Sequence, residues 1–191
     1  MSNTSSIKRI AIVGPESTGK SELAEALALY YKTLWVREYA REYLNTLSRD
    51  YVYDDLLEMA KGQMLSEDET ARMVGGDANH GESIVLRQWQ ISGLFCDTNL
   101  TVIKVWSEFK YARCDEWILN EIKSRKYFLH LLTDIDLPWQ PDPLREHPHE
   151  RKELFEIYLN ELKNQQVDFE IVSGVGDERL ANAVRIIDSR L

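Results

Sequence analysis

Apolar residues along this chain fall into two alternating rhythms. Short β-branched runs are each followed by a longer stretch in which apolar positions recur at helical spacing. Residues 9–13 (RIAIV) form the first run, closed by Gly14, and Leu23, Ala24, Leu27, Ala28, Tyr30 and Tyr31 then predict a helix over 21–33. Residues 33–36 predict a second short strand, which leads into a charged, aromatic segment at 37–43 (REYAREY). Asp54 and Asp55 can cap a helix whose Leu56, Leu57, Ala60 and Met64 share one face, reaching to about Met73. Residues 93–96 (GLFC) predict a buried strand ended by Asp97, and helices are expected through Val102, Val105, Trp106 and Phe109 and again over 115–124. A fourth strand is expected at 127–132 (YFLHLL), with Asp134 and Asp136 just beyond it. Four of the five prolines lie in 138–148, which forbids a regular helix there. A helix resumes at about His149 and runs to Leu162, before a last strand at 169–172 and a closing helix from Glu178. The segment 74–92 surrounds one apolar cluster, 84–86, with glycines and polar residues, and predicts a loop or small hairpin. Strands alternating with helices imply an α/β fold whose parallel sheet is covered on both faces. Internal repeats and low-complexity tracts are absent from the sequence.

Length and charge narrow the class. The 191 residues suffice for one substantial core, so a single domain over 1–191 is expected. With 23 basic against 32 acidic residues the net charge is −9, which repels a phosphate backbone and argues against nucleic acid as partner. No apolar stretch is long enough to span a membrane, and the start (MSNTSSIKRIAIVG) carries no targeting pattern. Cys96 and Cys114 form neither a C-x-x-C nor a disulfide framework, so a reducing, cytoplasmic setting is expected. The sequence is compatible with a homo-oligomer.

The strongest chemical signal is Gly14-Pro15-Glu16-Ser17-Thr18-Gly19-Lys20-Ser21, which matches G-x-x-x-x-G-K-[ST] between a strand and a helix. In that context backbone N–H groups and the helix dipole surround phosphates, and Gly14 and Gly19 permit the close approach. Lys20 would bridge the β- and γ-phosphates of ATP, and Ser21 would offer its hydroxyl to Mg²⁺. Asp97, at a strand end on the rim where open sheets bind ligands, is read as a metal ligand, as the base accepting a substrate hydroxyl's proton, or as a helix N-cap with Thr98. Arg37, Glu38 and Arg41 follow the second strand at the same rim. Glu38 could bind a ribose hydroxyl or serve as base, or belong to a solvated helical face paired with Arg41 or Glu42. Arg145 and Arg151 flank His147-Pro148-His149 and read either as lid arginines that neutralise developing charge or as a surface loop. The two histidines read as structural. Trp139 could stack on a flat cationic ring or sit in the core. A phosphate loop alone does not distinguish a kinase from an ATP-driven switch, but the chain contains no N-K-x-D guanine signature, which argues against a GTPase.

With these residues quoted, the chain resembles the nicotinamide riboside kinase domain of the NadR type, an AAA-like member of the P-loop kinases. The likeness covers most of the chain and rests on IAIVGPESTGKSELAEALA, WVREYAREYL, FCDTNLTVIKVWSEFKYARCDEWIL and LLTDIDLPWQPDPLREHP, followed by Arg151, Leu154 and Phe155. It implies a three-layer P-loop NTPase fold with a five-stranded parallel sheet of nucleotide-kinase type and a lid after the fourth strand, at about 138–152. It also implies MgATP-dependent phosphorylation of the ribose 5′-hydroxyl of nicotinamide riboside, to nicotinamide mononucleotide in NAD salvage. The family's strand-end aspartate falls on Asp97 and its lid arginine on Arg145, while Trp139 and Asp142 match the segment near the acceptor. By similarity to nucleotide kinases, the loop Ser173-Gly174-Val175-Gly176 borders the adenine, as Val175 would. Some relatives carry an adenylyltransferase domain, and some a DNA-binding domain, ahead of the kinase. With the loop beginning at Gly14, a stand-alone kinase without those activities is expected. Residues 74–92 exceed the expected connection and read as an insertion beside the acceptor site.

Overall fold

Alternation along the first strand sorts the protein into its two helical layers. In β1 (Lys8–Val13), Ile10 and Ile12 pack with α1 (Lys20–Tyr31) and α7 (Asp177–Asp188) on one face. Ala11 and Val13 pack with α4 (Leu100–Tyr111) and α6 (Arg151–Gln165) on the other. The structure is a computed structural model and describes residues 7–75 and 93–191. Five strands, completed by β2 (Leu34–Val36), β3 (Gly93–Asp97), β4 (Leu129–Thr133) and β5 (Phe169–Val172), form one sheet in the order β2-β3-β1-β4-β5. Every pairing is parallel, so all the carboxyl ends share one rim. The three central strands are buried along nearly their whole length, which explains why they read as continuous apolar runs.

Three remaining helices shape that rim. α2 (Tyr39–Thr46) occupies the charged, aromatic segment that the sequence pattern left without an element. α3 (Tyr53–Gly75) runs two residues past the expected end at Met73, because Val74 still packs against Val36, Leu94 and Cys96. Val74 and Gly75 are therefore helical, not part of a loop, and the rest of that expected loop or hairpin, including residues 84–86, lies outside the described residues. α5 (Glu116–Ser124) begins as expected at its cap Asp115, whose side chain accepts from Trp117 N at 2.8 Å. β4 starts at Leu129, two residues later than the apolar run suggests, and α6 starts at Arg151. α3 is pinned to the sheet by Glu67, wholly buried, which accepts from the Tyr127 hydroxyl at 2.7 Å and pairs with Arg9 at 3.1 Å.

Candidate active site

Where β1 ends, backbone geometry dictates the residues. Gly14 has φ 138°, and a Cβ there would lie 2.6 Å from Thr133 Oγ1, so the loop crosses the end of β4 only without a side chain. Thr18 Oγ1 is buried inside the turn, 2.8 Å from Pro15 O and 2.7 Å from Thr133 Oγ1. Ser17 (φ 56°) and Gly19 (φ 73°) are both left-handed, and Gly19 occupies the N-cap of α1 with no side chain capping it. The first N–H groups of α1 are thus left to an anion. Lys20 Nζ donates to Pro15 O at 2.7 Å. Burial lowers its pKa, while the carboxylates of Glu38, Asp97 and Glu16 act to keep it charged.

Two of those carboxylates sit beside it. Asp97 closes β3, 2% exposed, and the Ser21 side chain and the Glu38 backbone beside it favour its charged form. Its Oδ1 is buried without any hydrogen-bond partner. Burial, first of all, pushes its pKa up; burial and then the neighbouring Asp97 charge do the same to Glu38. Asp97 is not the N-cap of α4. Asn99 takes that role, accepting from Thr101 N at 3.0 Å, because Thr98 turns left-handed (φ 70°) and carries the chain away from Asp97 first. Asp97 is therefore spared capping. An orphaned carboxylate oxygen beside a serine hydroxyl, both next to an anion-binding helix end, suits a hard cation that takes its other ligands from phosphate and water. Mg²⁺ fits this donor set.

Glu38 occupies the N-cap position of α2, but its side chain makes no capping hydrogen bond. Instead Gln63, 1% exposed on α3, places Oε1 2.8 Å from Tyr39 N. The preceding Gly62 makes room for the ring, since a Cβ there would lie 2.0 Å from Tyr39 Cε1. Sequence reasoning missed both residues, although a glycine inside a helix and a lone amide among buried apolar neighbours were visible signals. Glu38 does not pair with Arg41 or Glu42 on a solvated face: Arg41 reaches across to Asp142 at 3.0 Å.

A histidine supports this corner from β4. His130 Nε2 lies 3.2 Å from Asn99 Nδ2, and burial lowers its pKa from 6.5 to about 4, so the ring is neutral and accepts from the cap residue. A base whose folded pKa is depressed contributes stability that is present above the unfolded pKa and lost as pH falls toward the folded one. The loss should run from pH 6.5 down to about 4 and reach about 3 kcal/mol. Thermal melts of the wild type and of His130→Gln at pH 7 and pH 4.5 check this; an equal acid-induced drop in both would disprove it.

The segment after β4 folds over the loop. Arg145 Nη1 donates to Gln140 O and lies 3.4 Å from Ser17 Oγ. The Glu16 carboxylate accepts from the next two backbone N–H groups, Glu146 at 3.0 Å and His147 at 3.1 Å. Arg151 donates to Leu137 O at 2.9 Å and Ser17 O at 3.1 Å. From α7, the buried Arg179 bonds to Thr18 O, to Gly174 O at 2.7 Å and to Asp136. Sequence reasoning missed Arg179 entirely, since nothing local marks it.

Two clefts result. One runs from the loop between α2, α4 and α6, with Glu16, Glu38 and Arg41 facing Trp106, Phe109 and Tyr158. The other lies between the loop and the β5–α7 turn, against Val175, Leu137 and Leu180. Ser17, Gly19, Glu22 and Arg145 line both, so the clefts meet at the glycine loop. Trp139 and Asp142, matched on resemblance to the acceptor segment, line neither; Asp142 is occupied by Arg41 and by Leu144 N at 2.9 Å.

This arrangement has known counterparts. The sequence profile described as "AAA domain" matches residues 9–179. The chain belongs to the AAA domain family. Among curated proteins this AAA domain is similar to the trifunctional NAD biosynthesis/regulator protein NadR of Escherichia coli (strain K12), 24% identical over 169 residues, covering 85% of this chain and 37% of that protein. Solved structures of NadR in complex with NAD and AMP-PNP and in complex with NR both superpose with TM-score 0.74, at 21% and 22% identity, over 97% of this chain and 50% of theirs. Thymidylate kinase from Ehrlichia chaffeensis follows with TM-score 0.63 and 12% identity, over 96% of this chain and 98% of that one. The AAA domain thus spans about half the length of the NadR chains it matches, and shares its fold with P-loop nucleotide kinases.

Proposed function

We propose that this protein is an ATP-dependent kinase that phosphorylates the ribose 5′-hydroxyl of nicotinamide riboside, yielding nicotinamide mononucleotide. The observation that carries the reading is the meeting of two clefts at one glycine loop, with Glu38 on the wall of one and Val175 on the wall of the other. A donor nucleotide laid along the second cleft, its phosphates on the loop, presents its last phosphate to an acceptor in the first. Similarity to NadR, crystallised with NR and with AMP-PNP, supports both the acceptor and the donor.

Within this reading the catalytic work is positioning and electrostatics. The acceptor's 5′-oxygen attacks the γ-phosphorus, the bond to the β-bridging oxygen breaks, and ADP leaves. Glu38 takes the acceptor's hydroxyl proton, because it lines the acceptor cleft and its raised pKa makes it a better base than an ordinary carboxylate. Asp97, beside Ser21 and carrying the free Oδ1, would hold Mg²⁺ together with Ser21. Bound there, Mg²⁺ supplies positive charge to the terminal phosphates. Lys20 exchanges its Pro15 carbonyl for the β- and γ-phosphates, and Arg145, already beside Ser17, spreads the charge of the transferring group. Trp106, Phe109 and Tyr158 offer apolar surface for the base of the nucleoside.

The deciding experiment is ADP release from MgATP with nicotinamide riboside, adenosine, uridine or no acceptor, with products identified by mass. ADP appearing only with nicotinamide riboside, alongside nicotinamide mononucleotide, is the expected result. Preference for another nucleoside would keep the kinase and replace its substrate, while acceptor-independent ADP would make the protein an ATPase and remove the role given to Glu38.

A further inference from the structure

Arg151 and Arg179 reach the glycine loop from α6 and α7, and what they grip on the loop is backbone, although Arg179 also lines the second cleft and pairs with Asp136. Arg151 donates Nη2 to Ser17 O at 3.1 Å and Nη1 to Leu137 O at 2.9 Å. Arg179 donates Nη1 to Thr18 O and Nε to Gly174 O at 2.7 Å. Two consecutive carbonyls of the loop are therefore held by two guanidiniums from different helices. Among the described residues every peptide bond is trans, and across a planar trans peptide the C=O and the following N–H point in opposite directions. Holding Ser17 O thus turns the Thr18 N–H away from Arg151, and holding Thr18 O turns the Gly19 N–H away from Arg179. The left-handed Ser17 and Gly19 flank these peptides, in the alternation that gathers successive N–H groups into an anion-binding concavity.

The geometry points to Arg151 and Arg179 as positioning residues that orient the Thr18 and Gly19 N–H groups toward the phosphates before nucleotide binds. This rests on the nucleotide-binding reading above. Each cation also polarises the peptide it grips, which strengthens the N–H on the other side as a donor. Arginine suits the task because its rigid fork can hold carbonyls of two segments at once, whereas a lysine ammonium offers no such geometry. Arg145 differs from Arg151 in kind: it lines both clefts, and Arg151 lines neither.

The test uses the full chain with Mg²⁺. Calorimetry gives the Kd of AMP-PNP and of inorganic pyrophosphate, and steady-state kinetics gives kcat at saturating ATP, for the wild type, Arg151→Met, Arg151→Lys and Arg179→Met. In Arg151→Met both affinities should fall about tenfold, with kcat within about threefold of wild type; Arg151→Lys should recover part of the affinity. Arg151→Met carries the test; Arg179→Met, which also removes a wall of the second cleft, should lose at least as much affinity if circular dichroism shows it folded. Loss of kcat with both affinities intact would place Arg151 on the transferring phosphate and overturn the inference, as would unchanged values throughout. A wild-type chain that binds neither ligand would overturn the proposed function together with this inference, whereas wild-type binding with indifferent variants overturns the inference alone.

Discussion

Lys20→Ala should lower ADP formation by about 10²- to 10³-fold while leaving the fold intact. The ammonium lines the first cleft, among Glu16, Glu38 and Asp97, whose charges oppose the burial that lowers its pKa. Once nucleotide binds, no other side chain of the loop can bring a full positive charge to the β- and γ-phosphates. Removing the amine leaves Pro15 O still bonded to Thr18 Oγ1 at 2.8 Å, so the turn retains its internal tie. Single-turnover ADP release, with circular dichroism as the control for folding, measures the effect. A folded variant within tenfold of the wild type would remove the phosphate-loop reading and everything built on it.

The second large effect belongs to Asp97→Asn, and it should move activity and stability in opposite directions. Turnover should fall about 10²-fold and the Mg²⁺ concentration for half-maximal rate should rise, because the amide keeps the shape and loses the charge that suits a hard cation. The melting temperature at pH 7, without nucleotide or metal, should rise. Asp97 is buried with Oδ1 unpartnered; burial pushes its pKa up, and its charge in turn raises that of Glu38. A carboxyl whose folded pKa is raised lowers stability increasingly as pH climbs above its unfolded value, so neutralising it is most stabilising at neutral pH and above. A residue kept at such a cost is typical of a working site. If Asp97→Asn instead melted lower and kept its activity, the aspartate would be structural.

What could be read from the chain was whatever depends on neighbours in sequence. The spacing of Gly14, Gly19, Lys20 and Ser21 is local, since a turn of that length between a strand and a helix leaves few other residue choices. Asp97 at the end of β3 and the alternation of strands with helices are local in the same sense, and the order of elements followed from them. Capping already strained this logic: Asp97 and Asn99 lie two positions apart, both are good cap residues, and the left-handed Thr98 between them, which only the folded chain shows, decided for Asn99. α2 escaped notice because eight residues carrying one buried position make a weak periodic signal; its packing on α3, through Tyr39 over Gly62, holds it in place.

The residues that complete the candidate site are of another kind, because each is defined by a partner far away in the chain. Gln63 reaches Tyr39 over 24 positions, Arg41 reaches Asp142 over 101, Glu16 reaches His147 over 131 and Arg179 reaches Thr18 over 161. No spacing rule connects such pairs; the parallel sheet does, by gathering the carboxyl ends of β1, β3 and β4 and the loops that leave them onto one rim. By itself the sequence determined the strand–helix order and the glycine loop, since local sterics and hydrogen bonding specify those. Which arginine lines both clefts and which grips the glycine loop's carbonyls, and that Asn99 is spent on a cap while Asp97 stays free, was decided only by tertiary packing, because burial and distance assign those roles and neither exists until the chain is folded.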